Sequence, residues 1–276
     1  MTSPQRVCAV VAGGARSSEA LDAVHGQSRP VDAEVLVAEV QDACAGAALR
    51  VPLPPGAGVA GAAHAGLRAG LAEGADWVWL LDGSAVPAPD ALERLLSVLD
   101  DLGELPRPAL LAGTVVGADG EPHPDALPMN RLTHKEVVVE ACRRRLVAVR
   151  AVRHGSILVS RAAIERDGLP RADYVADGDD LEWTARLLRD AEGYLVPAST
   201  ALRRDPPSAA AGSDVPTARR LRNAIDMLRG PAWTGEEKLW MGFNAAAGLA
   251  RGLRDHPGST GPAARGIWAG LRSSGG

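Results

Sequence analysis

The sequence predicts an α/β architecture, a mixed and mainly parallel sheet between helices, on three observations. Short apolar runs of strand length, at 7–11, 77–81 and 156–159, recur along the chain. In the first half, helical stretches alternate with such runs through short connections, the pattern of a parallel α/β sheet. The run at 77–81 closes on a carboxylate, Asp82, followed by a turn with Gly and Pro and then a new helix. In open α/β sheets ligands bind outside the carboxyl ends of the strands, so Asp82 stands where a ligand is expected.

Taken in order, 7–11 is a buried strand broken by Gly13-Gly14, and 19–25 is a helix ending near Gln27-Ser28-Arg29-Pro30. A second strand, 34–37, closes on Glu39. The Ala/Gly-rich stretch 58–71 reads as helical in its second half, glycine being costly inside helices. Trp77 and Trp79 alternate along the next strand, so at least one faces the core, and a helix follows over 89–101. The second half is more irregular. It holds a strand at 109–116, a proline-rich loop at 119–130, β-type runs at 137–139 and 146–152, and a strand at 156–159. A short helix at 161–166 ends at Gly168, a helix over 180–189 begins on acidic residues, and a short strand lies at 194–197. Residues 204–217 are low in complexity and read as a mobile loop. Terminal helices are expected at 217–228 and 236–253. The implied organisation is one α/β domain over 1–216, a small helical C-terminal appendage over 217–272 and a disordered tail at 273–276.

The bulk properties narrow the function. With 276 residues, 46% hydrophobic and 23% charged, the chain suits one large globular domain or two small ones. A formal net charge of −4 argues against a general nucleic-acid binder. Cys8, Cys44 and Cys142 lack metal-ligand spacing, and their odd number argues against a disulfide framework, so a reducing cytoplasm is the expected compartment. The first six residues are polar and carry Pro4, unlike a signal peptide, and no apolar run approaches the roughly 20 residues of a membrane span. In the 236–253 helix, Trp240, Met241, Phe243 and Leu249 stand among Lys238, Arg251 and Arg254. Such a helix can lie on an acidic membrane surface, but its few large apolar groups favour packing on the domain or on a second subunit.

Several segments, in order, carry a resemblance. The strand at 7–11 and the Gln27-Ser28-Arg29-Pro30 corner open it, followed by Glu39 and the glycine-rich run from Gly58 to Gly66. Then come Asp76-Trp77-Val78-Trp79-Leu80-Leu81-Asp82, Gly178-Asp179-Asp180-Leu181-Glu182-Trp183 with Arg186, and the pair Arg222-Asn223. Together, over most of the chain, they resemble family-2 inverting glycosyltransferases of the GT-A type, nearest the actinobacterial galactofuranosyl- and rhamnosyltransferase-like group. The resemblance implies a GT-A (nucleotide-diphospho-sugar transferase) fold and transfer of a sugar, with inversion, from a nucleotide-diphosphate donor to a hydroxyl acceptor. That acceptor would be a glycan or lipid-linked glycan of the cell envelope, handled in the cytoplasm or at the inner face of the plasma membrane, with peripheral membrane contact or a homodimer both compatible. Such chemistry needs one base for the acceptor hydroxyl and positive charge for the departing diphosphate. By resemblance Asp180 is the base, with Asp179 beside it. Glu39, Asp82 and Ser84 lie on the donor side, Glu182 would hydrogen-bond the acceptor, and Trp183 would offer a face to a sugar ring. Carboxylates in a first helical turn also commonly cap the helix and complement its dipole. Two adjacent carboxylates couple, which raises the pKa of one and suits a base.

The family pattern also breaks. Its Asp-x-Asp reads here as Asp82, Gly83, Ser84, without the last carboxylate. A His expected beyond Val196-Pro197 is missing, and Ala201-Leu202-Arg203-Arg204 occupies that region. The family commonly neutralises the diphosphate with Mg²⁺ or Mn²⁺; both expected metal ligands are missing here, and only the first carboxylate, Asp82, survives. Two readings follow. Either Arg203 or Arg204 supplies the charge, since a guanidinium binds phosphate in bidentate fashion and stays protonated, and the enzyme is metal-independent or binds metal weakly through Asp82, Ser84 and water, or the site has decayed and the chain is a catalytically inactive binding or scaffold protein.

Overall fold

The computed structural model of the chain describes residues 5–14, 16–39, 49–53, 57–174, 178–206, 218–255, 258 and 260–272, with Glu39, Arg219, Arg220, Asp255 and Pro262 described by backbone alone. Cys44, most of the 204–217 loop and the 273–276 tail lie outside the described residues. The strands are β1 (Val7–Ala12), β2 (Ala33–Glu39), β3 (Leu49–Leu53), β4 (Trp77–Asp82), β5 (Ala85–Pro87), β6 (Leu110–Val116), β7 (Met129–Asn130), β8 (Val147–Ala151), β9 (Ser156–Ser160) and β10 (Gly193–Arg203). The helices are α1 (Ser17–His25), α2 (Gly58–Ala72), α3 (Ala91–Asp100), α4 (Lys135–Arg143), α5 (Arg161–Asp167), α6 (Asp179–Leu187), α7 (Ala218–Arg229), α8 (Gly235–Asp255) and α9 (Thr260–Arg272).

One ten-stranded sheet runs β3-β2-β1-β4-β9-β6-β10-β8-β7, with β5 paired to β10 at the side. Strands β1 to β4, β6, β7 and β10 run one way, and β5, β8 and β9 the other, so the sheet is mixed and mainly parallel, as expected. Period-2 alternation splits each central strand between two cores. Cys8, Val10, Val78 and Leu80 face one layer with Leu67 of α2, Ile164 of α5 and Trp183 of α6. Val7, Ala9, Val11, Trp77, Trp79 and Leu81 face the other, against Leu21 of α1, Leu92 of α3 and Ala141 of α4. Both tryptophans of β4 are therefore core, and each large side chain so buried contributes roughly 1.5–3 kcal/mol.

Beyond β5, β7 and α9, which the sequence expectations do not contain, local structure departs from them at four places. Helix α2 spans the whole Ala/Gly-rich stretch, because its small residues let it lie close on the sheet: Ala60, Gly61, Ala62, Ala63, Gly66 and Gly70 are all buried. Residues 137–139, expected as β-type, are helical in α4, where Val137 and Val138 pack into the core beside Ala141. Tertiary burial of one helix face outweighs the modest helix cost of valine. Strand β3 was not anticipated; it is a sheet edge, where Pro52 is tolerated. Strand β10 continues well past 194–197, through a register shift between Val196 and Thr200, and ends on Arg203.

Gln27 explains the corner near the chain's start. Its side chain donates to the carbonyls of Ala23 and Ala88 and accepts from the Leu92 N–H, tying the end of α1 to the start of α3.

Candidate active site

Strands β1 and β4 lie side by side with Ala12 opposite Asp82. From β1 the chain moves outward one way to β2 and β3, while β4 lies on the other side, which makes the crevice beyond Ala12 and Asp82 a topological switch point. The turn after Asp82 packs against Gly13-Gly14. A Cβ on Gly83 would fall inside the Gly13 carbonyl group, and one on Gly14, at φ +102°, would collide with the Gly83 backbone. The Arg16 N–H donates to the Gly83 carbonyl at 3.0 Å. Gly13-Gly14 is thus a backbone seat for the Asp82 turn.

Both oxygens of Asp82 are engaged. Oδ1 accepts the Ser84 N–H at 2.9 Å, and Oδ2 is in an ion pair with Arg203. Arg203 arrives because the end of β10 pairs antiparallel with β5, Arg203 opposite Ala85. Its neighbour Arg204 points elsewhere and pairs with Glu19 of α1 at 2.9 Å, with both side chains exposed. Of the two arginines named from sequence, the fold brings only Arg203 to Asp82.

The Asp82 N–H donates to the Gly155 carbonyl at 2.9 Å, which joins β4 to the loop before β9. That loop carries His154, and a lone histidine just before a strand reads from sequence as a surface or capping residue. Instead His154 is buried, and its Nε2 lies 2.8 Å from Asp179 Oδ2. Burial disfavours the imidazolium, but the hydrogen bond to Asp179 and the charges of Asp179, Asp180 and Asp82 outweigh it, so its pKa is raised to about 9 and the ring is protonated at neutral pH. Burial pushes the Asp179 carboxyl up, yet the His154 hydrogen bond and charge hold it below its ordinary value. The coupling expected between the two carboxylates therefore does not raise Asp179, because the His154 cation is bonded to it. The one sequence signal for His154 was its place just before a strand, within a His-Gly-Ser run.

Asp180 faces the same loop. Its Oδ2 accepts the His154 N–H at 3.1 Å, its Oδ1 accepts the Leu181 N–H at 2.7 Å, and Arg153 lies 3.7 Å from Oδ1. A carboxylate has about four lone-pair sites, so this anchored group keeps acceptor capacity. Helix α6 starts on Gly178 at φ +101°, with Met227 of α7 against that glycine, and the ion pairs Arg171–Asp226 and Arg222–Asp173 fasten α7 to the preceding loop.

Two expected acceptor groups face inward. Trp183 is 0% exposed, lies in the core, and donates its indole N–H to the Gly168 carbonyl. It offers no face to a sugar. Glu182 is buried and paired with Arg186 at 2.9 Å. Both sit on the side of α6 that packs on α5 and its following loop. Glu39 ends β2 on the same sheet edge as Asp82; its side chain lies outside the described residues.

The donor set does not fit Mg²⁺ or Mn²⁺. Among the described residues no group of three or more His, Cys, Asp or Glu side chains is placed to hold a metal ion. These hard cations want several oxygen ligands, usually carboxylates, whereas Asp82 has a guanidinium on one oxygen and Ser84 in place of a second carboxylate. The acids of the site, Asp82, Asp179 and Asp180, are balanced by Arg203, Arg153 and protonated His154.

No protein-family model and no curated protein sequence matches the chain. Solved structures do. GalNAc-T7 with UDP, GalNAc and Mn²⁺ is similar over 93% of this chain and 55% of its own, at 14% identity and a TM-score of 0.62. TarS of S. aureus is similar over 91% of this chain and 45% of its own, at 11% identity and a TM-score of 0.60. TarS 1–349 in complex with UDP gives 90% and 72%, 12% identity and a TM-score of 0.54. The chain thus spans about half the length of GalNAc-T7 and of TarS, and at these identities the likeness shows the fold, which is GT-A.

Proposed function

We propose that this chain transfers a sugar, with inversion, from a nucleotide-diphosphate donor to a hydroxyl group of a glycan or lipid-linked glycan, and does so without a divalent cation. The observation that carries the proposal is two charged pairs at the switch point, Asp82 with Arg203, and Asp179 with His154 beside Asp180, joined through the Asp82–Gly155 backbone hydrogen bond. The UDP bound to GalNAc-T7 and to TarS supports a nucleotide sugar as the donor. The α/β part, residues 1–216, carries the chemistry, and 217–272 form an appendage that buttresses the start of α6.

In this reading the diphosphate lies across the carboxyl ends of β1 and β4, with Glu39 on the nucleoside side. Arg203 leaves Asp82 for the diphosphate oxygens, a charge-assisted and bidentate contact. The acceptor oxygen attacks the anomeric carbon from the face opposite the diphosphate, and its proton passes to Asp180. The bond from the anomeric carbon to the phosphate oxygen breaks, leaving nucleoside diphosphate and an inverted glycoside. Charge develops on the leaving oxygen, where a pre-placed cation lowers the barrier. His154 and Asp179 hold the Asp180 loop in place.

A second reading, a silent sugar-nucleotide binder, draws on one observation: the Arg203–Asp82 pair occupies both partners. One variant separates the two. Asp180→Asn keeps the shape and one of the two backbone hydrogen bonds, and cannot accept the proton. Turnover of a donor–acceptor pair falls by about 100-fold or more, while nucleotide binding measured by calorimetry stays within about twofold. Equal turnover in variant and wild type overturns the base assignment, and absence of turnover in both, with binding intact, favours the silent binder.

A further inference from the structure

In the reaction above Arg203 exchanges Asp82 for the diphosphate, so its side-chain contacts cannot hold it through the exchange. They are few in any case. Among the described residues its side chain makes one ion pair, with Asp82, and its Nε is buried without a hydrogen-bond partner. Its position must come from the backbone. Two strands contribute: Arg203 stands opposite Ala85 of β5, and Leu202 opposite Val116 of β6. Both pairings stop there, since β5 begins at Ala85, β6 ends at Val116 and β10 ends at Arg203. A strand end frays unless something ties the chain beyond it.

His123 makes that tie. After β6 the chain turns back, with the Gly117 N–H donating to the Glu121 carbonyl and the His123 N–H to the Val115 carbonyl, each at 2.8 Å. The returning segment lies on the edge of β6 away from β10, Pro122 opposite Val116, so the His123 ring reaches across the strand. His123 is 3% exposed, and its Nε2 lies 3.1 Å from the carbonyl oxygen of Asp205, two residues beyond Arg203. A carbonyl can only accept, so Nε2 donates. The other nitrogen agrees. Nδ1 accepts the Asp125 N–H at 3.3 Å and caps the one-turn 3₁₀ helix Pro124–Ala126. The tautomer with its hydrogen on Nε2 satisfies both bonds, and the other satisfies neither. We infer that His123 is a positioning residue for Arg203: by holding the Asp205 carbonyl it fixes the end of β10, so that Arg203 is aimed at the crevice with or without a donor. A displacement of about 1 Å is enough to spoil such a contact. The inference rests on the assignment of Arg203 to the diphosphate.

Two substitutions divide the ring between its nitrogens. In His123→Gln the amide nitrogen stands near the place of Nε2 and can donate to Asp205. In His123→Asn the amide oxygen stands near the place of Nδ1 and can accept from Asp125, but nothing reaches Asp205. The readout is calorimetric affinity of the full chain for UDP, GDP and dTDP in EDTA. His123→Asn should weaken the nucleotide that binds by about fivefold or more, and His123→Gln should hold it within about twofold. In an Arg203→Ala background His123→Asn should add nothing, because its effect passes through Arg203. The ¹⁵N spectrum of the wild-type ring, which needs no variant to fold, should show the hydrogen on Nε2. Where Arg203→Ala does weaken binding, any of three results overturns the inference: hydrogen on Nδ1, equal affinities of the two His123 variants, or a full loss from His123→Asn with Arg203 already alanine. If Arg203→Ala binds as the wild type does, or no nucleotide binds at all, the assignment of Arg203 itself falls, and this inference with it.

Discussion

At the scale of single residues the site is defined by what each carboxylate touches. Asp82 could be singled out from sequence because it closes a legible strand, and Asp179 and Asp180 because the family resemblance falls on the acidic start of a helix. His154 could not, because its role depends on Asp179, a residue 25 positions on. Nor could the inward direction of Glu182 and Trp183, since a first helical turn shows which residues are neighbours but not which side the next layer covers. The buried imidazolium has a consequence for stability. Its pKa is raised to about 9 from an ordinary value of about 6.5. The folded state therefore binds a proton that the unfolded chain releases over this range. The stabilisation is complete below about pH 6.5 and is lost as pH rises through about 9, with a size on the order of 3 kcal/mol at most. Denaturant midpoints measured across that window should fall for the wild type, and His154→Ala should flatten the slope even though it lowers stability throughout. Parallel slopes in the two proteins would remove the protonated His154 from the account.

Elements set the distances between these residues. The Asp82 turn is held by the contact of Gly83 with Gly13-Gly14, and glycine is required there by the space available, not by turn preference alone. Sequence reading treated Gly13-Gly14 as a break after a strand, which is correct locally and silent about the turn 70 residues away that needs it. Gly83→Ala should cost at least about 2 kcal/mol of unfolding free energy, because the added methyl meets the Gly13 backbone just past the end of a central strand and neither side can yield cheaply. A change within about 0.5 kcal/mol would show that the turn is free to move. Strand β10 teaches the same lesson in the other direction. Pro197 and the polar residues after it end the apolar run, so the strand reads as short, yet pairing to β6 resumes at Thr200 and carries Arg203 to the site. Pairing partners, unlike periodicity, are not written in the local sequence.

For the molecule as a whole, the fold class was the most legible feature, because alternation of strands and helices and the switch-point rule act through the entire chain. The outward direction of Trp240 and Phe243 on α8 and of Trp268 on α9 was not legible, since an amphipathic pattern shows that a helix has two sides without saying which one the domain takes. The central claim belongs to this scale too: a GT-A fold in which an arginine from the far strand stands beside the switch-point carboxylate and serves a nucleotide diphosphate in place of a divalent cation. The most direct measurement is calorimetric titration of the protein with UDP, GDP and dTDP, each in Mn²⁺ and in EDTA, repeated with Arg203→Ala and Arg204→Ala. One nucleotide should bind equally in both conditions. Arg203→Ala should weaken it by about tenfold or more, the loss expected of a charge-assisted hydrogen bond, and Arg204→Ala, paired with Glu19 at the surface, should change it little. Binding that requires Mn²⁺, or binding indifferent to Arg203, would contradict the account.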